Sequence, residues 1–482
     1  MENLKSISIF SSYFIAIFIC GYIILNSILA PFRGIAHHHN HPNGKIAPSK
    51  DRTANTLLYS IALFTALTAM SLGFTWYHML LFFRLSYLNW LKTTVAMPST
   101  PRTIGYWLRE TKLFEEAYRI VVTTPERWWW SQQIFLACFG WGIWVSYQGH
   151  GGVPGKGGKG RSVAVLTAYM VLAQLVSLSV AVNLYFVDVL AHRGFECAPS
   201  SPPPAAAAEV MSKEGGEDHA VVAVAEKAQT QTVPAPNSTL AAAQSPTSAP
   251  TVTESRMARI LLGFYLIACF LPTSVLPTLT HTPQTSPLNR LFFPTLLFPH
   301  VALFIPIFFT YPVSPRFTRI LYTCSTFCSV ACHAASTSAV VDRVRSFLAV
   351  EEAGRVLAST TAAAAAAAST TATAAVTTAG SSAIIQTTIQ WLGITLLNTH
   401  PAVSSVSWDV LCFCLSVAMW AGVEGGASGG VWLGGQAREV VDRAPSVVHL
   451  GLGRRVARVS LAGAMMAIGG AGAGALVFAG DL

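Results

Sequence analysis

Stretches of about twenty apolar residues recur along this chain, and each is the length that an α-helix needs to cross a bilayer core. They run over roughly 7–30, 56–82, 128–147, 163–190, 257–276, 291–311, 317–339, 402–422 and 457–479. In hydrocarbon every backbone N–H and C=O must be satisfied internally, so such runs fold as helices packed together. The sequence therefore predicts an all-α fold, a polytopic transmembrane helical bundle of about 8–9 spans. Charged residues make up 11% of the chain, against about 25% in soluble domains. The net charge of +9 is spread over short loops, with no basic arm or patch of the kind that binds nucleic acid.

The apolar run near the N-terminus is too long for a signal-peptide core, and it is read as a retained first span. The N-terminal membrane part, residues 1–196, is expected to hold about four spans and an interfacial helix over 105–127. Residues 197–255 are rich in Pro, Ala and Ser and read as a disordered loop. The C-terminal membrane part, 256–482, carries an Ala/Thr insertion at 358–383. Pro294, Pro299 and Pro306 predict a kinked sixth span. Lys and Arg are concentrated on the N-terminal side and in alternate loops, which places the N-terminus in the cytoplasm. Cys324, Cys328 and Cys332 share one helix face and read as packing.

Several polar residues interrupt the apolar runs. Trp128, Trp129 and Trp130 are expected at headgroup depth, followed immediately by Gln132 and Gln133. Gln133 shares a helix face with Trp129, Trp130 and Trp144, and is either an interhelical hydrogen-bond partner or the lining of a polar pocket. Gln174, Ser177 and Asp188 form one stripe in the fourth run, and Asn183 lies on another. Asp188 is close enough to the end to reach water beside His192. Asp409 sits several residues inside an apolar run, on a face with Phe413 and Trp420. An ionised carboxylate there is costly, which favours a neutral acid able to donate a proton, or a carboxyl bonded to a neighbouring helix. His37, His38, His39 and His41 read as a solvated loop or a loose metal-binding tract. No nucleotide-binding, zinc-protease or hydrolase signature is present, and neither a metal site nor a cofactor is predicted.

The stretches TWYHMLLFFRLSY (75–87), ETKLFEEAYRIVVTTPERWWWSQQIFLACFGW (110–141), AQLVSLSVAVNLYFV (173–187) and HPAVSSVSWDVLCFCLSVAMW (400–420) follow one another within apolar spans. With them the chain resembles a fungal family of membrane-bound terpene cyclases from meroterpenoid pathways, the ascofuranone type. The resemblance covers roughly 54–195 and 256–425; the two low-complexity segments exceed the pattern and the final span matches it weakly. It implies acid-initiated cyclisation, without a cofactor, of a prenylated and epoxidised aromatic substrate.

Under that reading Asp409 is the acid, with Glu110, Glu115 or Glu116 as alternatives at the mouth. Trp129, Trp130, Trp144, Phe413 and Trp420 shape the pocket, and aromatic faces stabilise a carbocation. Gln133, Gln174 or Asn183 orient the substrate's oxygen. The expected partners are a lipophilic small molecule, membrane lipid and other pathway enzymes, and the expected location is the endoplasmic reticulum. A membrane transporter, favoured by span number and the His tract, and a non-catalytic membrane protein are the other readings.

Overall fold

The computed structural model describes residues 2–39, 52–94, 103–149, 160–196, 256–280, 286, 290–308, 315–367, 400–427 and 470. Among them there are helices and no strands. The 197–255 segment, residues 368–383 of the Ala/Thr tract, His41 and the 457–479 run apart from Gly470 lie outside the described residues.

Among the described residues, five helices contain windows long and apolar enough to cross a membrane. They are α1 (Glu2–His39), α2 (Arg52–Thr94), α8 (Arg256–Thr280), α11 (Pro315–Ala367) and α12 (Pro401–Ala427). Large apolar side chains on α1, α2, α8 and α11 face outward, among them Phe18, Tyr59, Ile267 and Phe327. Water would penalise so much exposed hydrocarbon; lipid does not. Expectation and structure differ at the His tract, where α1 continues through His39 rather than ending before it. Residues 358–367 likewise extend α11, as the high helix propensity of alanine allows.

The interior is built on α5 (Pro125–Gly149). Its start is set locally: the Thr124 carbonyl and hydroxyl accept from the Trp128 and Arg127 amides, and Pro125 takes the first helical position. The single interfacial helix expected over 105–127 is instead two short helices, α3 (Ile104–Glu110) and α4 (Leu113–Val122). Thr111 separates them, because both its hydroxyl and its amide donate to the Trp107 carbonyl, and its own carbonyl accepts from Leu113. Arg119 of α4 pairs with Glu115 at 2.9 Å and lies over the Phe292 ring.

Two of the expected spans are interrupted. The 163–190 run forms α6 (Val163–Leu175) and α7 (Leu178–Glu196). The two are antiparallel: Arg161, just before α6, meets Asp188 of α7 at 2.6 Å, and the Tyr169 hydroxyl donates to the Leu184 carbonyl. At 13 residues, α6 is about 20 Å long, short of the ~30 Å hydrocarbon core. The pair is thus a helical hairpin held inside the bundle rather than a single span. The 291–311 run is also divided, into α9 (Phe292–Ala302) and α10 (Ile305–Phe308). Leu303 and Phe304 turn between them, and Ser146 of α5 donates to the Pro306 carbonyl.

α12 packs against α2, α5 and α7, while α1 packs against α6 and α7. Between α2, α5, α7 and α12 lies a cluster of rings. Phe186 stacks on Trp420 at 4.2 Å between centroids, and Phe64 and Trp144 meet Phe186 edge-on.

Asp188 does not reach water. Its side chain is fully buried, and it accepts from Arg161 and from Ser27 of α1, beside His192. Removing one partner of a buried pair strands the other, at a cost of about 3–5 kcal/mol. Arg161→Ala is expected to lower the melting temperature of the purified protein sharply, and Arg161→Met combined with Asp188→Leu to restore part of the loss. Thermal unfolding in detergent measures both, and an unchanged Arg161→Ala melt contradicts the role given to this pair.

Candidate functional site

The α6–α7 turn, Val176 and Ser177, lies where water is scarce, so its backbone groups need protein partners. Ser177 N–H donates to the Leu172 carbonyl at 3.4 Å. The Ser177 hydroxyl accepts from the Val180 amide, as expected of a helix N-cap. The preceding Leu175 carbonyl accepts from the Tyr13 hydroxyl of α1. The amides of Leu178 and Ser179, at the start of α7, both donate to Asp409 of α12. Leu178 N is 2.9 Å from Oδ2 and Ser179 N 2.8 Å from Oδ1. The Ser177 hydroxyl lies 2.6 Å from the same Oδ1.

Asp409 is therefore an N-terminal cap supplied from another helix, where a carboxyl group also complements the dipole of α7. Backbone amides can only donate, and they engage both carboxyl oxygens. The bond to a neighbouring helix, one of the two readings open from sequence, is present.

Around this turn lies a layer of further polar side chains. Gln174, in the last turn of α6, hydrogen-bonds through Oε1 to Nδ1 of His300 on α9. The His300 ring stands 5.3 Å from Phe135 and 5.9 Å from Tyr118. Tyr118 lies on α4; burial first, then nearby Cys138, push its phenol up to about 12. Gln174 Nε2 and His300 Nε2 are shielded from solvent and have no hydrogen-bond partner among the described residues. Gln132 Oε1 and Asn183 Oδ1 are buried in the same condition, although Asn183 Nδ2 lies 3.5 Å from Ser71.

The other residues singled out by sequence fall in three places. Trp144 and Trp420 meet through Phe186 in the ring cluster, and Phe413 is buried one turn from Asp409 on α12. Trp129 and Gln133 face α11 instead: the Trp129 indole donates to Thr337 at 3.0 Å, and Gln133 Nε2 lies 2.8 Å from His333 Nδ1. Trp128 and Trp130 are buried against protein, and Trp130 packs edge-on against Trp129. Glu110 and Glu116 lie at the α2 face of the interfacial segment. Glu116 accepts from Ser86, and Glu110 from the Trp90 indole at 2.7 Å. That indole, with Arg109, holds the Glu110 carboxyl below the ordinary carboxylate range. Burial opposes ionisation of Glu115, but Arg119 and Lys112 outweigh it and hold its carboxyl low too.

Sequence reading missed Tyr13, Tyr118, His300 and His333. A histidine inside an apolar run, as in LLFPHVALF, is the same kind of signal that singled out Asp409, but the prolines drew the reading there. Among the described residues no cluster of three or more His, Cys, Asp or Glu side chains is placed to hold a metal ion. A search of family models, curated proteins and solved structures finds no match to the chain.

Gly470 sits directly on the Gln133–His333 pair with φ +71°, and an added methyl would collide with Gln133 Oε1. Gly470→Ala is expected to destabilise the protein, and Gln133→Ala to relieve part of that loss. A double-mutant cycle of melting temperatures tests this coupling. At the turn, Asp409→Asn replaces one accepting oxygen with an NH2 group that confronts an amide. A loss of about 1–3 kcal/mol of stability follows. Thermal unfolding in detergent measures it, and a variant as stable as wild type contradicts the capping role.

Proposed function

We propose that the chain is a membrane-bound terpene cyclase that closes rings on a prenylated, epoxidised aromatic substrate. The observation that carries this reading is the half-satisfied polar layer of Gln174 and His300, set between aromatic rings within an apolar bundle. Buried polar groups without partners are costly in the free protein, and convergent polar groups among rings are the usual make-up of a small-molecule site. The family resemblance of residues 54–195 and 256–425 supports the same reading.

In this proposal the Tyr118 phenol donates its proton to the epoxide oxygen, and Gln174 hydrogen-bonds to the same oxygen. The C–O bond breaks, the oxygen is retained as a hydroxyl, and the prenyl double bonds close onto the cation. Phe135, and deeper along α5 the Trp144–Phe186–Trp420 cluster, present ring faces to the positive charge. The final cation loses a proton to the Tyr118 phenolate, which restores the acid, so the product is an isomer of the substrate. Asp409 contributes by fixing the turn from which Gln174 extends. The substrate partitions into the bilayer, which matches an integral membrane enzyme of the endoplasmic reticulum with a cytoplasmic N-terminus.

The interrupted elements α6–α7 and α9–α10 favour a second reading, a transporter, because broken helices at membrane depth often build solute sites. The two readings separate in one preparation. Yeast microsomes containing the chain are expected to convert a farnesylated phenol epoxide into a cyclic isomer of unchanged mass, which empty membranes do not form. Inserted, folded protein that leaves the epoxide intact overturns the cyclase reading. Proteoliposomes that accumulate a solute would establish transport.

A further inference from the structure

We infer that a groove at the junction of α3 and α4 is a binding site for one membrane phospholipid with an ethanolamine headgroup. The inference does not depend on the cyclase reading, because the groove lies at the surface of the bundle and is tested by binding alone.

The groove has a volume of about 240 Å³ and opens between the start of α1, the α3–α4 junction and the start of α9. Ile9, Phe10, Phe114 and Phe293 give it apolar walls, and Lys112 and Glu115 add a charged pair. Its level in the bilayer follows from α1. The apolar window of that helix begins at Leu4, so Phe10 lies about 9 Å along it, within the outer third of a ~30 Å hydrocarbon core. The Ile9 side chain is exposed, which opens the groove sideways to lipid. The Lys112 side chain is 80% exposed and marks the aqueous rim. Apolar walls with a charged rim suit a lipid set at the interface, its chain in the groove and its headgroup at the rim.

The charges at the rim select the headgroup. Glu115 is shared between two cations. Its Oε1 accepts from Arg119 Nη2 at 2.9 Å and from Arg119 Nε at 3.1 Å, whereas its Oε2 faces Lys112 Nζ at 3.5 Å. An ion pair so long and so exposed is weak, and it opens readily for a ligand that carries both signs. An ethanolamine phospholipid is such a ligand. Its phosphate matches the Lys112 ammonium and its primary ammonium matches Glu115 Oε2, with charge-assisted hydrogen bonds at both ends. Arg119 keeps the other carboxylate oxygen, so Glu115 stays ionised and in place. A glycerol headgroup brings its phosphate charge against Glu115 with no cation to offset it. A choline headgroup has no N–H to donate to the carboxylate. Bound there, the ethanolamine lipid fastens the interfacial segment to α1 and α9.

The test uses the full chain, purified and delipidated in detergent, with dioctanoyl phosphatidylethanolamine, phosphatidylcholine and phosphatidylglycerol as probes of identical chains. Ligand-dependent thermal shift should give the ethanolamine lipid about a tenfold tighter affinity than either of the others. Lys112→Ala removes the partner of the phosphate and is expected to weaken the ethanolamine lipid about tenfold. Glu115→Gln removes the negative charge and is expected to bring the ethanolamine and choline lipids to within about twofold of each other. Melting without lipid shows that each variant is folded. Equal affinities of the three lipids in the wild type overturn the inference, since the groove then reads only the chain. Tightest binding of the glycerol lipid overturns it too, because a single cation then suffices. So does an ethanolamine preference that survives in both variants, because the headgroup is then read elsewhere. A wild-type preference lost in the variants upholds the site, whether or not the microsomes form a cyclic product.

Discussion

A carboxyl group on α12 closes the backbone of a turn between α6 and α7, and the interior of the protein is arranged around that contact. A helix that stops inside a membrane protein exposes amides and carbonyls with no water to take them up. Here the amides that open α7 and the last carbonyl of α6 have partners. Ser177 serves the third amide of α7, Asp409 the first two, and Tyr13 the last carbonyl of α6. With the turn fixed, α6 and α7 lie side by side, Arg161 reaches Asp188, and Gln174 is brought up to His300.

The contrast between the turn and the layer beside it bears on function. The amides that open α7 are paired; Gln174 and His300 in the layer beside them are not fully so. Natural cores rarely leave buried donors and acceptors idle, and Gln174, His300, Gln132 and Asn183 lie close to one hairpin and the helices that pack on it. The charged interfacial residues are in the opposite condition. Glu110 and Glu116 are engaged by Trp90 and Ser86 of α2, which ties α3 and α4 to the bundle, while Glu115 pairs with Arg119 within α4.

The apolar runs made the helical class legible, because length and hydropathy alone decide whether a segment can cross a bilayer. They misjudged continuity. The LVSLS sequence at 175–179 has neither proline nor glycine, so the hairpin turn is invisible to rules based on those residues; its one local signal is Ser177, an ordinary N-cap type. The remaining signal is 231 residues away in Asp409, and no local pattern joins the two. Conversely α5 is a central helix that tryptophan and glutamine make less hydropathic than the peripheral ones. Within the candidate site, Gln174 was legible as a polar residue in hydrocarbon, but its partner His300 was masked by flanking prolines. Trp129 and Gln133 share a helix face as their spacing requires, yet that face meets α11 and Gly470 rather than the layer.

The sequence distance spanned by the Asp409 contact also sets an order of assembly. At usual synthesis rates the ribosome needs on the order of tens of seconds to travel from Leu178 to Asp409. Throughout that interval the start of α7 lacks two of its partners, and the hairpin can settle only when α12 is delivered. Biogenesis is thus obliged to finish from the C-terminal side, and a chain halted before α12 reaches the membrane with its centre still open.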